Sequence, residues 1–211
     1  MNNIFLASSL CMVDDVIHRY IDLKGKKVAC IRNAAKERWW REAWRNKRDM
    51  EFFENAGAVT IDIDLEDNID RAHIRDSVDI LFVWWWDTLY LRDLSEQSGL
   101  HTSIHDFLQQ WWIYMGTSAW SMLACHEVYY PHDGRKTDGL WLFPLCIIPH
   151  RWSPIFLEDR ENNMQKMNDH GQSYIMLTDI DVIIIDNNTW SVQRSQKHTL
   201  EEVYKKVNEM D

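Results

Sequence analysis

Short apolar runs and amphipathic stretches take turns along the first 125 residues, and few folds accommodate that alternation. Residues 3–7 (Asn-Ile-Phe-Leu-Ala) are predicted to form a buried strand, followed by a polar loop at Ser8 and Ser9. Residues 13–23 read as a short helix with Gly25 just past its end, and 27–32 as a strand apolar on both faces, as a central parallel strand is. In the charged stretch 38–55, Trp40, Ala43, Trp44, Met50, Phe53 and Ala56 recur at three- and four-residue steps, interrupted at Lys47. That spacing predicts an amphipathic helix closed by Gly57. Strand 58–65, helix 68–77 and strand 79–83 come next, then helices 89–97 and 102–110 and a strand at 113–115. Strands alternating with helices in this way imply βαβ units, right-handed crossovers and a mostly parallel sheet.

Beyond residue 125 the pattern changes. Residues 142–148 are predicted as a strand ending at Pro149-His150. Strands 173–177 and 182–185 flank Thr178-Asp179-Ile180-Asp181 and read as a β-hairpin, with a third antiparallel strand at 189–193 and a helix at 200–210. No repeat or linker interrupts the chain, so residues 1–211 are expected to form one domain, a three-layer α/β/α protein with an antiparallel C-terminal hairpin.

Within this frame one turn carries chemistry. The strand at 113–115 runs into Gly116-Thr117-Ser118-Ala119-Trp120, and a helix is expected to open at Ala119. A serine on a sharp strand-to-helix turn presents its hydroxyl beside backbone N–H groups that can stabilise an oxyanion. His150 and the loop after Val83 also fall at ends of predicted strands, where ligands bind in open α/β sheets. A carboxylate, Asp179 or Asp181, sits at the expected hairpin. Serine needs an adjacent base, and that base needs an acid to hold its tautomer. The order Ser118, His150, Asp179 differs from the Ser, Asp, His order of α/β-hydrolases.

Three segments resemble the peptidase E family of serine peptidases, which includes the cyanophycinases and has a class I glutamine amidotransferase-like fold. Asp79-Ile-Leu-Phe-Val-Trp-Trp-Trp-Asp-Thr stands where the family has a Gly-Gly-Gly-Asn/Asp-Thr turn. Tyr114-Met-Gly-Thr-Ser-Ala-Trp stands where it has Gly-x-Ser-Ala-Gly, and Gly139-Leu-Trp-Leu through Pro149-His150 where it has a Gly-Leu-Gly-Leu segment ending in Pro-His. The likeness runs from about residue 4 to residue 193. It implies Ser118 as nucleophile, His150 as general base and an acid after the histidine, for which Asp179 fits better than Asp181. It implies oxyanion donors at the backbone of Ala119 and of Trp85 or Trp86, and substrate contacts at Asp87. Arg160, in Asp159-Arg160-Glu161, matches a family segment whose arginine binds an N-terminal aspartate of the substrate. No cofactor or metal is expected.

Glycine and tryptophan counts bear on the same motifs. The chain has 7 glycines and 12 tryptophans, where the usual glycine share of ~7 % would give about 15 glycines. Tryptophan stands at family glycine positions at Trp84, Trp85, Trp86, Trp120 and Trp141, with Trp111 or Trp112 and Trp152 as further candidates. Glycine at such turns meets a steric requirement. The expectation is a gene that uses UGA for glycine, read with a table that assigns UGA to tryptophan; Trp44, on a helix face, fits as a genuine tryptophan.

The remaining features are exclusions and rivals. A net charge of −10 argues against nucleic acid or anionic membrane as a partner, and no apolar run reaches the ~18 residues of a membrane span. Cys11, Cys30, Cys125 and Cys146 are widely spaced and read as reduced core residues of a cytoplasmic protein. His126 and His132, near Glu127 and Asp133, match no standard metal spacing. The expected partner is a small peptide substrate, with a homodimer admitted. Two rivals stand beside a peptidase acting on Asp-X dipeptides: a non-catalytic binding or structural relative, and a cyanophycinase-like hydrolase of another acyl substrate.

Overall fold

Strand β1 (Ile4–Ala7) sets the layering. Its four residues are all buried, and successive side chains leave opposite faces of the sheet. Ile4 and Leu6 enter one apolar cluster, Phe5 and Ala7 the other. Strand β4 (Ile80–Val83) repeats the division, with Leu81 and Val83 on the first side and Ile80 and Phe82 on the second. Each large side chain buried this way contributes about 1.5–3 kcal/mol. In the computed structural model, which describes residues 4–31, 43–67, 77–83, 88–110, 112–129, 135–187 and 189–208, the result is a sheet covered on both faces.

That sheet joins β1, β2 (Lys27–Ile31), β3 (Val59–Ile63), β4, β5 (Ile113–Thr117), β10 (Asp181–Asp186) and β11 (Thr189–Arg194) in the order β11-β10-β1-β5-β4-β2-β3, while β6 (Glu127–Tyr129) and β7 (Lys136–Asp138) pair separately. From β1 through β5, β4 and β2 to β3 adjacent strands are parallel, whereas β10 runs antiparallel to both β1 and β11. Helices α1 (Asp14–Tyr20) and α2 (Ala43–Asn55) contribute Val16, Ile17, Phe52 and Phe53 to one side. Helices α3 (Thr88–Gln97) and α4 (Leu100–Gln109) contribute Leu91, Leu94, Ile104 and Phe107 to the other. The predicted three-layer α/β/α arrangement with a mostly parallel sheet is the arrangement observed.

Two expectations in the second half need correction. The predicted strand 142–148 shortens to β8 (Cys146–Ile148), because Pro144 lacks the N–H a ladder needs; Phe143 makes only an isolated bridge to Cys125. The expected hairpin across Thr178–Asp181 does not form. Strand β9 (Tyr174–Met176) pairs in parallel with β8, whereas β10 lies between β1 and β11. The antiparallel hairpin is β10–β11, turning at Asn187 with φ 47°. Alternating hydrophobicity marks a strand but not its partner, so three short strands in a row read as one meander. The predicted helix 68–77 lies almost entirely outside the described residues.

Candidate active site

Strand β5 delivers Ser118 to the carboxyl end of the sheet. Ser118 itself sits at φ 52° and ψ −114°, a conformation L-residues seldom adopt and one that costs about 1–3 kcal/mol. Backbone hydrogen bonds hold it there. Its N–H donates to the Ala7 carbonyl at 2.9 Å, and its own carbonyl accepts the N–H groups of Ser121 (3.0 Å) and Met122 (3.2 Å), opening helix α5 (Ala119–Leu123). The Ser121 hydroxyl bridges the Ala7 and Gly116 carbonyls at 2.7 and 2.9 Å. A Cβ on Gly116 would lie 3.1 Å from the Trp120 carbonyl, so glycine here lets helix and strand close together.

The parallel pair β8–β9 supplies the other two groups side by side. His150 follows β8 by two residues and Asp179 follows β9 by three. Ser118 Oγ lies 2.9 Å from His150 Nε2, and His150 Nδ1 lies 2.5 Å from Asp179 Oδ1. All three side chains are buried. An imidazole bonded at Nδ1 to a carboxylate carries its proton there, which leaves Nε2 to accept from the serine hydroxyl. Phe156 stacks on the imidazole with centroids 4.5 Å apart and planes at 22°. Asp181 is engaged elsewhere, accepting from the Thr178 N–H (2.9 Å), the Thr178 hydroxyl (2.5 Å) and Arg194 Nε (2.7 Å).

The other expected site residues divide. Ala119 is the first residue of α5, next to Ser118. Trp84, Trp85, Trp86 and Asp87 lie outside the described residues. Arg160 stands on helix α6 (Leu157–Asp169), with its Nη1 donating to the Arg151 carbonyl beside His150. Trp120 packs its ring into the core near Tyr114, while Trp141 and Trp152 are exposed. Among the described residues no group of three or more acidic, His or Cys side chains could hold a metal, and His132 is not among them. Sequence reasoning missed Phe156: an aromatic residue six positions past a histidine carries no local signal. It also read Ser8 and Ser9 as a polar loop, whereas both are buried and Ser8 accepts the His150 N–H.

Comparison with known proteins agrees with this architecture. A family model for peptidase family S51 matches residues 5–200. A crystal structure named as a peptidase E protein from Listeria monocytogenes EGD-e superposes with a TM-score of 0.79 at 18 % identity, over 93 % of this chain and 100 % of that one. A peptidase from an acI-B1 Actinobacterium superposes with a TM-score of 0.69 at 17 % identity, over 92 % of this chain and 88 % of that one. No curated protein matches the chain in sequence. With the family model spanning nearly its whole length, the chain belongs to peptidase family S51 and is a serine peptidase.

Proposed function

We propose that the protein hydrolyses short peptides through an acyl-enzyme on Ser118. As Ser118 Oγ bonds to the scissile carbonyl carbon, its proton passes to His150 Nε2 and the carbonyl electrons move onto oxygen. Collapse of that intermediate breaks the C–N bond, and the amine leaves with the proton from His150. Water, deprotonated by His150, then releases the acyl group as a carboxylic acid and restores the serine. Asp179 orients the imidazole and stabilises it when charged. Backbone N–H groups of Ala119 and of the loop at Trp85 and Trp86 would meet the oxyanion. The observation that carries this reading is the unbroken line from Ser118 Oγ to His150 to Asp179, at 2.9 and 2.5 Å.

The substrate class proposed is Asp-X dipeptides, with Arg160 receiving the aspartate carboxylate and Asp87 lining the site. A guanidinium has several donors, so the bond to the Arg151 carbonyl does not use up its capacity. The test is turnover of Asp-X dipeptides and of cyanophycin by the protein and by Ser118→Ala. The expected result is dipeptide hydrolysis, reduced by about 10³-fold or more in the variant. Equal turnover by both would rule out the serine mechanism, and cyanophycin cleavage alone would move the substrate class.

We also propose that Trp84, Trp85, Trp86, Trp120 and Trp141 stand where the native gene specifies glycine. Two observations support this. Trp141 sits at φ 57° and is 62 % exposed, a left-handed conformation with little burial in exchange. The indole N–H of Trp120 is buried without a hydrogen-bond partner, whereas buried tryptophans usually find one. Reading codons 84, 85, 86, 120 and 141 decides it: UGA supports glycine, and UGG at all five removes the idea.

A further inference from the structure

We infer that Ser8, at the carboxyl end of β1, is a positioning residue for hydrolysis: its hydroxyl ties the His150 backbone to the segment that leads to Asp179. The inference rests on the Ser118–His150–Asp179 reading above. His150 has φ 56°, in the left-handed region, so something must hold its backbone against relaxing. Its N–H donates to Ser8 Oγ at 3.1 Å, and the Ser8 hydroxyl in turn donates to the Leu177 carbonyl at 3.1 Å. Leu177 precedes Asp179 by two residues. One hydroxyl therefore spans the two segments whose side chains must meet at 2.5 Å.

The same strand end also reaches the nucleophile. Ala7 pairs with Thr117 in the β1–β5 register, so the residues that follow them, Ser8 and Ser118, are neighbours. The Ser8 carbonyl accepts from the Thr117 hydroxyl at 3.2 Å, and the Ala7 carbonyl accepts the Ser118 N–H at 2.9 Å. The segments bearing all three groups thus converge on two consecutive residues.

A purely architectural role fits Ser8 less well. Strand β1 is held by four-residue ladders to both β5 and β10, which do not involve this side chain. The Leu177 carbonyl also accepts the Arg151 N–H at 2.9 Å and keeps a partner without Ser8. What the hydroxyl's removal takes away is the bond it accepts from the amide of His150. Ser8 is 1 % exposed, so water does not readily replace it. Loss of the tether lets the imidazole drift relative to Ser118 Oγ, and a misplacement near 1 Å costs on the order of 10²-fold in rate.

A fluorophosphonate probe reads nucleophile activation without assuming a peptide substrate. The Ser118 Oγ–P bond forms as P–F breaks, fluoride leaves, and the serine proton passes to His150. In Ser8→Ala the inactivation rate constant kinact should fall about 10- to 100-fold with KI within about twofold, and Ser8→Thr, which keeps the hydroxyl, should recover to within about threefold of the parent. A folded Ser8→Ala with kinact within threefold of the parent overturns the inference, as does Ser8→Thr as slow as Ser8→Ala. Should Ser8→Ala fail to fold, the near-isosteric Ser8→Cys decides by the same split; if neither folds, Ser8 serves the fold alone and the inference fails. Ser118→Ala in the same assay separates the two claims. A parent protein not labelled at Ser118 sinks the triad reading itself, while normal labelling of Ser8→Ala sinks only the role of Ser8.

Discussion

Asp179 and Asp181 stand two residues apart with opposite consequences for substitution. Asp179 faces the imidazole, so Asp179→Asn should keep the fold and lower kcat by about 10³- to 10⁴-fold through the wrong histidine tautomer. Asp181 closes its own turn and pairs with Arg194, so Asp181→Asn should leave kcat within about threefold and lower stability by about 2 kcal/mol. Steady-state kinetics and urea melts of the two variants give this contrast; the reverse pattern would exchange their roles. Sequence position alone favoured Asp179 by family likeness, and it could not see that Thr178 and Arg194 claim the other carboxylate. Trp141 yields a second expectation at this scale. Trp141→Gly relieves a positive φ and gives up little buried area, so it should raise stability by about 1 kcal/mol in the same melts. The neighbouring Gly139 shows how tight this segment is, since a Cβ there would come within 2.2 Å of the Cys125 carbonyl.

Elements were legible in proportion to their periodicity. The helix at 102–110 appears as α4, one or two residues displaced, because Ile104, Phe107 and Leu108 mark a buried stripe. Strands β1, β2 and β4 were visible as continuous apolar runs bounded by polar residues. Pairing was not visible, because the partner of a short strand is set by contacts far along the chain. The C-terminal clasp is one such contact. Asp15 accepts from the Ser195 hydroxyl at 2.6 Å and the Gln196 N–H at 3.0 Å, while Asp14 meets Lys197 and, at 2.9 Å, His198. These bonds fasten the segment between β11 and helix α7 (Leu200–Asn208) onto α1. Burial works to raise the Asp14 pKa, but hydrogen bonds from Lys197 and His198 outweigh it and hold the carboxyl below its ordinary value. The charged form is therefore the one the fold favours. Its contribution is complete above the unfolded aspartate value near 3.9 and is lost as pH falls through the lower folded value. Asp14→Asn should lower the melting temperature at pH 7 by roughly 2–4 °C, with the gap from the parent closing in acid; a gap that widens in acid would contradict the assignment.

At the scale of the molecule, the site exists because parallel strands end together. The register of β1 with β5 brings Ala7 beside Thr117, and that of β8 with β9 brings the segments of His150 and Asp179 abreast. Three parts of the chain, far apart in sequence, meet at the carboxyl end of the sheet. That the serine turn and the histidine fall at strand ends was legible because a Gly-x-Ser turn after a strand and a Pro-His after another are local patterns. The stacking of Phe156 and the burial of Ser8 were not, since both arise only when these strand ends converge. Mass analysis of the peptides left after treatment with a fluorophosphonate shows whether this convergence makes Ser118 a nucleophile. The expected result is one adduct per chain, on the peptide carrying Ser118, abolished in Ser118→Ala and slowed by at least about 10²-fold in His150→Ala. An unmodified Ser118 in folded, active protein, or labelling that survives Ser118→Ala, would contradict it.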